Sequence, residues 1–69
     1  MDAAQGHRLP GGFILITGMD GIRYAVRHSS VAGLQDADQC RDETLVLLHG
    51  GAVVRVSAGL EEVLGWFAL

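Results

Sequence analysis

This chain of 69 residues predicts a small α+β fold: a mainly antiparallel, curved or barrel-like β-sheet built from two hairpins, closed by one C-terminal helix. Three observations predict it. The first is a strand–turn–strand pattern in which Phe13 to Thr17 runs into a turn at Gly18-Met19-Asp20-Gly21 and out through Ile22 to Arg27. The second is its recurrence: Leu45 to Leu48, a turn at His49-Gly50-Gly51, then Ala52 to Val56. At an offset of 30 residues Leu15 falls on Leu45, Ile16 on Val46, Gly21 on Gly51 and Val26 on Val56. The third is a short terminal stretch in which Leu60, Val63, Leu64 and Phe67 follow the i, i+3, i+4, i+7 spacing of a helix laid on a sheet.

Residues 1–12 predict a flexible N-terminal segment. Asp2, Gln5, Gly6 and His7 show no period, and Gly11-Gly12 after the only proline marks a boundary. Residues 13–69 predict a single β-rich domain with the C-terminal helix. Phe13 to Ile16 is a continuous apolar run, as suits a strand covered on both faces. Asp20-Gly21 is a strong turn pair, because glycine accepts positive φ and aspartate tolerates it. The next strand alternates, with Ile22, Tyr24 and Val26 on one face and Arg23, Ala25 and Arg27 on the other. Val31 to Leu34 predicts a third short strand, with Gly33 marking a bulge or a close backbone approach.

Residues 35 to 43 are polar and acidic and predict a surface loop. Leu45 to Leu48 carry no polar residue on either face, which places this strand centrally in the sheet or in an interface. Ser57 is the expected N-cap of the helix, and Glu61 and Glu62 suit its first turn, where the helix dipole favours negative charge.

Composition narrows the function. The chain is 49% hydrophobic and 19% charged, which is globular and apolar-rich for its size. A domain this short buries only about 60% of its unfolded surface, so the apolar excess points to a partner. The formal charge is −3 and there is no lysine; the cations are Arg8, Arg23, Arg27, Arg41 and Arg55. That balance argues against a general phosphate-binding surface. A lone cysteine, Cys40, allows no intrachain disulfide and fits a reducing, cytoplasmic interior. Neither a signal peptide nor a membrane span is expected.

The chemistry-bearing residues are scattered. His7, His28, His49 and Cys40 lack the paired spacings of structural zinc sites, so no metal is expected. Asp36, Asp38, Asp42 and Glu43 make no calcium loop, because Asp36 and Asp38 are followed by Cys40 and not by another oxygen ligand, and no central glycine exists. Ser29 and Ser30 beside His28 form no triad. Cys40 among carboxylates is expected to be a poor thiolate. Neither a catalytic residue nor a cofactor site is expected, and the chain reads as non-enzymatic.

The order of elements resembles the small bacterial flagellar FlbD-type proteins. The likeness rests on Ile14-Leu15-Ile16-Thr17, Asp20-Gly21, Ser29-Ser30-Val31, the acidic loop, Glu43-Thr44-Leu45-Val46-Leu47, Gly50-Gly51, Val54-Arg55-Val56-Ser57 and Leu60-Glu61-Glu62-Val63-Leu64. The second hairpin and helix also resemble the end of a LytTR-type DNA-binding domain, which is longer and more basic. The functional expectation is a non-catalytic interaction module that self-associates, most simply as a homodimer, or binds a protein partner. Leu45, Val46, Leu47, Leu48 and Trp66 are its expected interface. The alternative is a small DNA-binding or transcription-regulatory protein using Arg23, Arg27 and Arg55 on exposed strand faces.

Overall fold

The computed structural model describes residues 6–67. Six strands and a helix follow in the order β1 (Gly6–Arg8), β2 (Phe13–Thr17), β3 (Arg23–Arg27), β4 (Val31–Asp36), β5 (Thr44–Leu48), β6 (Val53–Val56) and α1 (Leu60–Phe67). Short 3-10 turns at Pro10–Gly12 and His28–Ser30 link β1 to β2 and β3 to β4. The expected α+β class and antiparallel pairing hold. The strands divide between two three-stranded sheets, β1-β2-β3 and β4-β5-β6, which do not close into a barrel.

Both apolar runs lie at the centre of their sheets. In the first, Ile14 pairs with Arg8 and Val26, and Ile16 with Gly6 and Tyr24. In the second, Val46 pairs with Leu34 and Val54, and Leu47 with Gly33 and Val53. The register of β4 on β5 shifts between Val31 and Gly33, the irregularity that the glycine signals in the sequence. Alternation then sorts side chains to two faces. Ile14, Ile16, Val46, Val54 and Val56 join Ala58 and Val63 in one buried core between the sheets and the helix.

Three expectations are corrected. Residues 6 to 12, read as an aperiodic lead-in, carry β1, which adds a third strand to the first hairpin; residues 1–5 of that segment lie outside the described residues. Glycine at position 6 makes this docking possible. A Cβ there would sit 2.6 Å from Trp66 Cδ2, so the indole of α1 lies where a side chain would be. Arg8 Nε also donates a long hydrogen bond to the Trp66 carbonyl, 3.4 Å.

The helix is rotated from its expected setting. Leu64 was expected to face the sheet; it is 51% exposed, whereas Val63 is fully buried and Trp66 and Phe67 pack against the core. A stripe centred on Val63, Trp66 and Phe67 lets the indole cover Gly6, a contact that a stripe through Leu64 would turn away. The helix starts at Leu60, so the residue before its first turn is Gly59 and not Ser57. The Gly59 carbonyl accepts the Val63 N–H at 3.0 Å, and glycine is a tolerated N-cap. Thr44, buried in β5, donates its hydroxyl proton to the Ala58 carbonyl at 2.7 Å and fixes the path from β6 into the helix.

Candidate functional site

The alternation of β5 divides the expected interface. Thr44, Val46 and Leu48 face inward, while Leu45 and Leu47 face out. Val46 is fully buried within the chain's own core, so nothing from outside reaches it. Leu48 and Trp66 are half-buried and pack against that core. Leu45 and Leu47 remain, half-buried on the outer face of the second sheet. Two cross-strand rows set their surroundings: Gly33, Leu47 and Val53 form one, Gln35, Leu45 and Arg55 the other. Val53 is 54% exposed. Gly33 adds no side chain beyond Cα, and a Cβ there would stand 3.9 Å from Leu47 Cδ1. The result is an apolar strip, Leu45–Leu47–Val53, open on its Gly33 side.

Sequence reading missed Val53 because its alternation with Val54 is invisible in an unbroken Val-Val pair. Met19 in the first turn is exposed too, and Ile22, read as sharing a strand face with Tyr24 and Val26, lies before β3 and is exposed. The Met19 N–H donates to the Arg55 carbonyl at 2.8 Å, which ties that turn to the edge of β6. Gly18, Met19, Asp20 and Tyr24 thereby line a small cleft of about 210 Å³ with Val53 and Arg55.

The strip ends in charge. Arg55 Nε donates to Glu43 at 2.8 Å, and its Nη2 lies 3.8 Å from Asp38. The hydrogen bond to Glu43, with that carboxylate's charge, holds the guanidinium above its ordinary value. Of the three arginines expected on exposed faces, Arg55 is therefore committed to the acidic loop. Arg27 stacks on the Phe13 ring, 4.4 Å from its centroid, and donates through Nη1 to the Gly11 carbonyl at 3.0 Å. Arg23 is exposed and makes no ion pair among the described residues.

The remaining chemistry-bearing groups stay apart. His7 lies on β1, His28 opens a 3-10 turn and His49 sits in the second hairpin turn, all exposed. Among the described residues no three His, Cys, Asp or Glu side chains are grouped as a metal site would need. Cys40 is exposed in the acidic loop, where Asp38 above all, then Asp42, push its thiol up. No described helix is long and apolar enough to cross a membrane. A scan against protein-family models and searches of characterised proteins and of solved structures found no match to this chain.

Proposed function

We propose that this chain is a non-catalytic interaction module that forms a homodimer through the outer face of its second sheet. The observation that carries this reading is the strip Leu45–Leu47–Val53 on the side of β5 and β6 opposite the core. An apolar face on a central strand is costly to leave in water at about 25 cal/mol per Å², and a two-fold contact would cover the same strip on both copies. The Arg55–Glu43–Asp38 cluster at one end of the strip supplies a polar rim. Cytoplasmic residence, from the single exposed thiol, belongs to the same reading.

Sedimentation equilibrium tests it. The expected species is twice the 7.3 kDa chain mass, and Leu47→Glu is expected to be folded and monomeric. A wild-type monomer at high micromolar concentration overturns the reading.

A further inference from the structure

The first sheet ends on an open edge. β3 pairs with β2 from Arg23 to Arg27, and among the described residues none of its backbone groups bonds to anything else. Alternate residues of such a strand direct N–H and C=O outward, a template for one more strand. Of the other flanking strands, β1 and β4 lie against α1, and β6 gives its Arg55 carbonyl to the Met19 N–H.

Side chains along this edge set the occupant. Arg23 and Arg27 lie on the outer face, about 13 Å apart at 3.3 Å per residue, with the small Ala25 between them. Tyr24 and Val26 turn to the opposite face and pack against the core. No carboxylate pairs with Arg23 or Arg27 among the described residues. Arg27 is held in place by Phe13 and the Gly11 carbonyl, and donors beyond Nη1 remain for a carboxylate. Pairing β3 with β3 of a second copy about Ala25 would set each Arg23 against the other copy's Arg27, a like-charge opposition that disfavours this dimer.

We infer that the β3 edge binds an extended acidic segment of another protein, in which acidic residues at the first and fifth positions face Arg23 and Arg27 and apolar residues at the second and fourth extend the surface of Tyr24 and Val26. The pattern reads the same in both directions, so parallel and antiparallel docking place the charges alike. Strand addition of this kind takes affinity from the backbone and specificity from alternate side chains. This edge lies on the other sheet from the proposed dimer strip, so either reading stands if the other fails.

The experiment is a titration of the isotope-labelled full chain with a peptide carrying Glu-Val-Thr-Val-Glu between Gly-Ser flanks, beside its Lys-Val-Thr-Val-Lys counterpart. The expected result is amide shifts and slowed exchange at 23 to 27 with the glutamate peptide, and weakening with salt as exposed charges are screened. The double change Arg23→Glu with Arg27→Glu is expected to weaken that binding by about tenfold or more and to favour the lysine peptide. If loss of the Arg27 anchor unfolds the double variant, Arg23→Glu alone carries the test, with a smaller loss in the same direction. No binding at about 1 mM peptide, shifts confined to other strands, or equal binding of the two peptides overturns the inference.

Discussion

At an offset of 30 residues the two hairpins close with the same pair of backbone hydrogen bonds. Gly18 N–H donates to the Ile22 carbonyl and Gly21 N–H to Gly18, both at 2.9 Å; Leu48 N–H donates to Ala52 at 2.9 Å and Gly51 N–H to Leu48 at 3.1 Å. Gly21 and Gly51 take φ of 82° and 98°, in the left-handed region where only glycine is unstrained. The inward positions correspond too: Ile14 with Thr44, Ile16 with Val46, Tyr24 with Val54, Val26 with Val56. Depth differs. Tyr24 and Val26 are half-buried, whereas Val54 and Val56 are fully covered, because β6 runs on into Ala58 and α1 and carries the second hairpin to the middle of the core.

Outer faces diverge further. The first sheet presents Phe13 and Leu15 beside Arg23, Ala25 and Arg27; the second presents Leu45, Leu47 and Val53 beside Arg55, so among the described residues the free cations lie on the first and the paired one on the second. Charge follows the same division. Residues 6–35 hold three arginines against Asp20 alone, and residues 36–67 hold six carboxylates against two arginines. One turn and one inward pattern therefore serve both hairpins, and the differences between them collect where solvent and partners meet the chain.

The largest expected effect lies within β5, whose faces separate core from surface. Val46→Glu places a carboxylate at a fully buried position, and an unpaired buried charge costs more than about 4 kcal/mol. In a domain whose whole stability is of order 5 kcal/mol, circular dichroism should show an unfolded chain. Leu47→Glu, one residue on, should keep the native spectrum. If both fold or both unfold, the alternation of β5 is not as described.

Next comes the helix that deepens the second hairpin. Val63→Ala removes two buried methyl groups and is expected to cost about 1.5–3 kcal/mol. Leu64→Ala, on the exposed side, should stay within about 0.5 kcal/mol. Urea melts of the two variants check the order, and a larger loss at Leu64 would restore the helix rotation that periodicity alone suggests.

How legible this was follows from particular residues. The turns at Asp20-Gly21 and Gly50-Gly51 were readable because positive φ demands special residues, and β2 and β5 because their apolar runs admit only central places. The helix setting was not. Leu60, Val63, Leu64 and Phe67 fit one stripe, Val63, Trp66 and Phe67 another, and only a distant contact, Trp66 over Gly6, decides between them. β1 was hidden for the same reason, since three residues with two glycines nearby carry no period and gain their strand from β2. On the candidate surface, Leu45 and Leu47 were legible as apolar and central, but the inward turn of Val46 and Leu48 emerges only from register.

That distant contact gives the third test. Gly6→Ala drives a Cβ against the Trp66 ring, 2.6 Å from Cδ2, and overpacking of this kind costs about 1–3 kcal/mol. The loss should appear in a thermal melt together with a change in tryptophan fluorescence. A neutral Gly6→Ala would mean that β1 does not hold the first hairpin against the helix.

The smallest effect probes the charge division between the halves. Cys40 is exposed, and the carboxylates of Asp38, Asp42 and Glu43 raise its thiol, Asp38 most. Because the thiolate is the nucleophile, alkylation by iodoacetamide near neutral pH should run slower than for the same chain in urea, with its pH midpoint shifted upward. Salt should speed it, since screening shortens to about 3 Å at 1 M, and Asp38→Asn should speed it more than Asp42→Asn. A thiol placed in the other half meets the opposite field. In a Cys40→Ser background, Ala25→Cys puts one between Arg23 and Arg27 on the outer face of β3, where cations favour the thiolate. That thiol should alkylate faster than its urea-unfolded reference and slow with added salt, the reverse of Cys40 on both counts. Matching salt responses at the two positions would show that the fields of the two halves do not differ at their surfaces, and the separation of charge along the chain would then have no chemical consequence.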